Sequence, residues 1–268
     1  MPLARINGTE IFYEEHGTGK QTVFLAHGLT LSGRMYHHQV LPLRERFRCI
    51  TMDFRGQGRS ATARTGYDMN TLGRDVKALL RKLDAAPCHY VGLSMGGFVG
   101  LRLALQEPQF IRSLTLINTG AAADGPADRL RSMSMTAVVR LFGVRPVAGR
   151  AMRLIFSRRF LNDPQRREER RIWRKELLAN RRSGIVRAAI GVRRRPAVLD
   201  QIHAVQVPTL IIAGAEDEAV PAEHSRQMHE RIDGSKLVVI PEVGHNCCLE
   251  APDVVNRQLV SFLDAVSR

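Results

Sequence analysis

Three separated stretches of the chain carry side chains that could act together on a carbonyl carbon. In Gly92-Leu93-Ser94-Met95-Gly96 a serine stands between two glycines, after an apolar β-type run and before a run that reads as helix. A strand-to-helix turn this tight forces its central residue into a strained backbone, so the outer positions must carry almost no side chain. The serine hydroxyl is a weak nucleophile at neutral pH; it needs a base within hydrogen-bond reach and a third group to orient that base. His245, in Val243-Gly244-His245, supplies an imidazole after the apolar run 236–240. Glu216, Asp217 and Glu218 follow the run 210–213 and supply three consecutive carboxylates, among which spacing alone does not choose. His27-Gly28-Leu29 closes another run, and the Leu29 amide paired with the Met95 amide could hold the charge that develops on a carbonyl oxygen under attack.

Positioning these groups requires a scaffold. Short β-rich apolar runs recur at 22–26, 49–52, 90–93, 114–118, 210–213 and 236–240. Continuous apolar strands of this kind belong to a sheet covered on both faces. Helical stripes lie between them: Leu72, Val76, Leu79, Leu80 and Leu83 form one, and Val254, Val255, Leu259, Phe262, Leu263 and Val266 another behind Pro252. The expected fold class is therefore α/β, with a mostly parallel sheet and helices on both faces. Both the Asp217 loop and the His245 loop follow predicted strands, at the end where open α/β sheets bind their ligands.

At 268 residues the chain is long enough to bury a large core without disulfides. The four cysteines, Cys49, Cys88, Cys247 and Cys248, show no CxxC spacing, which predicts a reducing, cytoplasmic setting without a metal cluster. No uncharged apolar run approaches the roughly 18 residues of a membrane span. Net charge is +14, and residues 121–200 hold 20 Lys/Arg against 7 Asp/Glu, so nearly the whole excess sits in one segment. The strand-and-helix alternation stops at about Gly120 and resumes near Pro208. Residues 121–205 are read as an Arg-rich helical cap, with breaks at Gly143, Pro146, Pro164, Gly184 and Pro196, inserted between core parts 1–120 and 206–268.

Taken together, His27-Gly28, Asp53-Phe54-Arg55-Gly56-Gln57-Gly58-Arg59-Ser60, the serine turn, Gly214-Ala215-Glu216-Asp217 and Gly244-His245 resemble the α/β-hydrolase superfamily. Within it, the chain is similar to bacterial esterases, 3-oxoadipate enol-lactonases and cofactor-free perhydrolases. The resemblance covers the chain outside the cap. It implies a triad of Ser94, Asp217 and His245, oxyanion amides from Leu29 and Met95, an architectural role for segment 53–60, and no cofactor. Serine rather than aspartate at position 94 argues against dehalogenase and epoxide-hydrolase chemistry. Thr30 stands where many relatives have proline, which predicts a less rigid oxyanion loop.

The expected activity is hydrolysis of a small carboxylic ester or lactone through an acyl-serine intermediate. Perhydrolase or lyase chemistry on the same triad, and slow-turnover ligand sensing on the same fold, are the competing readings. In the cap, Arg166, Arg170 and Arg174 form one i, i+4 row and Arg167, Arg171 and Lys175 the next. They are expected to form a solvated face, or to attract an anionic or carrier-protein-linked substrate. Nucleic-acid binding has little support, because aromatic residues are sparse among the charges. Phe156, Phe160 and Trp173 are expected between cap and core.

Overall fold

The computed structural model describes residues 2–267. Eight strands, β1 (Leu3–Ile6), β2 (Thr9–His16), β3 (Thr22–Ala26), β4 (Arg48–Met52), β5 (Cys88–Leu93), β6 (Ile111–Ile117), β7 (Thr209–Gly214) and β8 (Lys236–Ile240), form one sheet. Their order is β1-β2-β4-β3-β5-β6-β7-β8. From β4 to β8 every pairing is parallel, while β1 and β2 add an antiparallel edge. The six apolar runs are thus strands of one mostly parallel α/β sheet, and the edge hairpin is an addition to what the apolar runs predict. Its turn is Asn7-Gly8, with φ of 44° and 71°, the two-residue left-handed geometry that suits a twisted hairpin.

The two faces of the sheet are buried by alternate side chains. Val23, Leu25, Val91 and Leu93 belong to one core with helices α1 (His37–Leu43) and α11 (Pro252–Val266). Phe24, Ala26, Tyr90 and Leu116 belong to the other, with α2 (Met69–Lys82) and α3 (Met95–Gln106). The predicted stripe of α11 buries Val255, Leu259, Phe262 and Leu263, each worth about 1.5–3 kcal/mol. Asp68 caps α2 by accepting from the Thr71 amide at 2.9 Å.

Between β6 and β7 the chain is helical: α4 (Pro126–Phe142), α5 (Ala148–Ile155), α6 (Arg158–Asn162), α7 (Arg167–Ala179) and α8 (Arg182–Arg193). Gly143 ends α4 at a φ of 82°. Gly184, expected as a break, instead lies inside α8. A β-carbon there would come 2.0 Å from the Gly56 carbonyl oxygen, so the glycine serves close packing of the helix on segment 53–60. Phe156 and Phe160 stack at 4.3 Å, Trp173 lies 6.2 Å from the His37 ring, and all three join the core that holds α1 and α11. Helix α9 (Ala222–His229) lies between β7 and β8, and α10 (Cys247–Glu250) between β8 and α11. No helix is long and apolar enough to cross a membrane among the described residues.

Candidate active site

Parallel register brings the carboxyl ends of the central strands level. Ala26 pairs with Gly92, Gly92 with Leu116, Leu116 with Ile211, and Gly214 with Ile240. The loops after β3, β5, β6, β7 and β8 therefore meet at one end. The strand order reverses between β3 and β5, the place where an open sheet leaves a crevice.

Ser94 follows β5 with φ 51° and ψ −112°, a conformation that costs a non-glycine residue of order 1–3 kcal/mol. Surrounding contacts hold it there. Its amide donates to the Ile117 carbonyl at 2.9 Å, and its carbonyl accepts from Thr119 Oγ1 at 2.9 Å and the Phe98 amide at 3.0 Å. The flanking glycines are demanded by proximity: a β-carbon on Gly96 would lie 2.1 Å from the Ala26 oxygen, and one on Gly92 would lie 2.5 Å from the Gly96 carbonyl. Met95 opens α3, so its amide has no acceptor within the helix, and the helix dipole adds positive potential there.

Of the three consecutive acids, Asp217 is buried while Glu216 and Glu218 are exposed. His245 Nδ1 donates to Asp217 Oδ2 at 2.7 Å. The other carboxylate oxygen accepts from the amides of Ala219 and Val220, both at 2.8 Å. With its proton committed to Nδ1, neutral His245 presents a bare Nε2. Ser94 and His245 both line a 230 Å³ cavity. Among the described residues no hydrogen bond joins them directly, as is common where such contacts tighten only around substrate.

The loop after β3, expected to be less rigid for carrying threonine at position 30, is held by several hydrogen bonds. Thr30 has a φ of 70°, its amide donates to Gln57 Oε1 at 2.8 Å, and its carbonyl accepts from Asn180 at 2.8 Å. Gln57 also donates to Met95 Sδ at 3.7 Å, tying the loop after β3 to the start of α3 through one buried side chain. Leu29 lines the cavity, whereas the Met95 side chain is turned into the core. His27 pins the loop from beneath: Nδ1 donates to the Gly28 carbonyl at 2.7 Å and Nε2 accepts from the Phe54 amide at 2.9 Å. That pattern requires the neutral ring, and burial depresses the His27 pKa in the same sense.

Two more positioning residues lie outside the motifs' expected roles. Asn118, just past β6 in left-handed geometry, donates to the carbonyls of Gly244 at 3.1 Å and His245 at 2.6 Å, and accepts from the Gly214 amide at 2.7 Å. It staples the histidine loop to the end of β7. Buried Glu250 accepts from the amides of Gly244 at 3.2 Å and Ser157 at 3.1 Å, linking that loop to the start of α6; burial raises its pKa. Left-handed asparagine at a strand end is a readable signal, but its partners are not.

With this geometry in place, the family model described as alpha/beta hydrolase fold matches residues 21–252. The chain belongs to the α/β-hydrolase family. Among solved structures it is similar to an esterase from Thermogutta terrifontis, 30% identical with a TM-score of 0.90, covering 98% of this chain and 97% of that one. The enol-lactonase from Burkholderia xenovorans is 25% identical with a TM-score of 0.92, over 98% and 100% of the two chains. A bromoperoxidase from Bacillus anthracis is 26% identical with a TM-score of 0.88, over 98% and 99%. The α/β-hydrolase resemblance and its esterase and enol-lactonase likeness are thus borne out, and the chain is an enzyme of that superfamily.

Proposed function

We propose that this hydrolase cleaves a small carboxylic ester or lactone through an acyl-enzyme on Ser94. The observation that carries the reading is the strained Ser94 sharing one cavity with His245, whose other nitrogen is held by Asp217 at 2.7 Å. His245 Nε2 takes the Ser94 proton as the oxygen attacks the carbonyl carbon, then returns it to the departing alkoxide. Water, deprotonated by the same nitrogen, hydrolyses the acyl-serine. The amides of Leu29 and Met95 stabilise the oxyanion in both halves, and loss of one such donor costs about 100-fold or more.

The helices at 121–205 act as the cap that closes this site. Leu29, Phe98, Met135, Val139, Leu177 and Val186 give the cavity an apolar wall. Its charged members cancel in pairs, Arg195 with Asp124 at 2.7 Å and Arg131 with Asp128 at 2.8 Å. An uncharged acyl group fits such a wall better than an anionic one.

Ser94→Ala is expected to abolish turnover of a short p-nitrophenyl ester while leaving the circular dichroism spectrum unchanged. Full activity in that variant would remove the proposal. Perhydrolase chemistry on the same triad is the second reading, favoured by the likeness to a bromoperoxidase. Peroxide-dependent bromination of monochlorodimedone, lost in Ser94→Ala, would identify it.

A further inference from the structure

A second cavity, of 430 Å³, lies on the far side of α8 from the one that holds Ser94. The helix forms a wall between them. Ile185, Val186, Ala189 and Val192 face the apolar cavity, while Arg187, Ile190, Gly191 and Arg194, at i, i+3, i+4 and i+7, face the second. Five arginines line the second cavity, Arg64, Arg102, Arg187, Arg194 and Arg195, against a single carboxylate, Asp68.

Most of that positive charge is uncompensated. Arg195 is committed to Asp124 at 2.7 Å. Among the described residues, Arg64, Arg102, Arg187 and Arg194 have no carboxylate within ion-pair distance. Asp68 is occupied at the N-terminus of α2 by the Thr71 amide and hydroxyl. Arg102 is the unusual member, because its side chain is buried yet bonded only to the carbonyls of Phe98 and Pro196. Burial and then the neighbouring Arg195 pull its pKa down to about 10, with Asp68 opposing them from across the cavity. A buried cation without a directly paired carboxylate is costly, and a bound anion relieves that cost.

The pocket is also built rather than incidental. Its floor at 65–67 is held by Arg55, which donates to the Thr65 carbonyl at 3.0 Å and makes a buried two-point ion pair with Asp75, both contacts 2.7 Å. Its wall is pressed against that floor, since a β-carbon on Gly191 would lie 1.9 Å from the Tyr67 carbonyl oxygen. Arg187 donates to the Ala63 carbonyl at 3.0 Å, which turns its guanidinium toward the floor and the Tyr67 ring.

We propose that this second cavity binds the phosphate group of a small metabolite, with Arg64, Arg102, Arg187 and Arg194 around it. Planar guanidinium groups match tetrahedral oxyanions with paired hydrogen bonds. The ligand would bridge α8 to the core at 64–70, so occupancy stiffens the wall of the neighbouring catalytic cavity. The site is independent of the triad.

Isothermal titration calorimetry at low salt, with inorganic phosphate, pyrophosphate and glycerol 1-phosphate as probes and acetate as comparison, tests it. At least one phosphate probe is expected to saturate below about 1 mM, and acetate is not. Arg187→Gln and Arg194→Gln should each weaken binding by about tenfold or more, the loss of one charge-assisted contact. Arg153→Gln, the same charge change at an exposed position of α5, should stay within about twofold, and Ser94→Ala should bind like wild type. Saturation by inorganic phosphate assigns the site to the anion itself, and saturation by glycerol 1-phosphate alone assigns it to a phosphomonoester; either upholds the proposal. Absence of saturable heat with all three probes up to about 10 mM, or equal weakening in Arg153→Gln, overturns it.

Discussion

Asn118→Ala is expected to damage both stability and catalysis, because one side chain closes three hydrogen bonds between loops that the sheet alone does not join. The residue is 1% exposed, so water does not replace what is removed. Alanine strands the Gly214 amide and deprives the carbonyls of Gly244 and His245 of their donor. An unsatisfied buried group costs about 1–3 kcal/mol; the amide has no second acceptor here, whereas each carbonyl loses one donor. Left-handed backbone adds up to about 1 kcal/mol for alanine relative to asparagine. The total is about 3–5 kcal/mol, a large part of the 5–15 kcal/mol typical of a whole domain.

The catalytic effect follows from His245 losing the tether on its own carbonyl. A displacement near 1 Å at such a centre costs about 100-fold, so kcat/KM should fall by roughly that factor at a temperature where the variant is folded. Guanidinium denaturation and ester kinetics measure the two effects. Leu259→Ala in α11 is the comparison: it should lose about 2–5 kcal/mol from a cavity, yet keep kcat/KM near wild type. If Asn118→Ala destabilises by less than about 1 kcal/mol, or if both variants lose activity alike, the staple argument is wrong.

Two further outcomes rest on single residues. His89 accepts the Ser113 hydroxyl and donates to Gln21, and burial, with Arg112 adding repulsion, lowers its pKa to about 4 from 6.5. The unfolded chain then binds a proton that the native state excludes, so this contribution is complete above pH 6.5 and is lost as pH falls toward 4. Urea unfolding should show wild type losing about 2–3 kcal/mol more than His89→Gln across that window. Thr30→Pro should lower both melting temperature and kcat/KM, with a stability loss above about 1 kcal/mol. Proline needs φ near −65° and has no amide hydrogen, whereas Thr30 sits at 70° and donates to Gln57. An unchanged or raised melting temperature would show that the loop tolerates proline.

What the sequence made legible follows from burial. Strands β3, β5 and β7 are buried along their whole length, so they read as unbroken apolar runs. Strand β2 carries Glu10, Glu14 and Glu15 on its partly open edge, and that mixed pattern hid it. Ser94 and His245 were readable because their glycine settings are local. Asp217 stood out from its acidic neighbours only by resemblance, and the structure separates them by burial. The positioning residues were not readable in kind: Asn118 bonds to positions 96 to 127 residues away, and Glu250 to one 93 away. No local pattern encodes such partners.

The Arg-rich segment shows why net charge is a poor guide to a surface. Row spacing in α7 suggested a solvated face, but Arg166 reaches the carbonyls of Leu249 and Glu250, and Arg170 that of Phe160. Arg166 thereby latches the start of α7 to α10, which follows His245, and Arg170 ties α7 to α6. Arg171 is spent on Glu168, and Arg195 on Asp124. Of the arginines left without a carboxylate around the second cavity, Arg187 and Arg194 lie on one face of α8 and its C-terminal end, while the opposite face gives the cavity that Ser94 lines apolar side chains. The cavity that Ser94 lines therefore takes an apolar wall from α8 inside the most basic part of the chain, because helix periodicity sorts the two kinds of residue onto opposite sides.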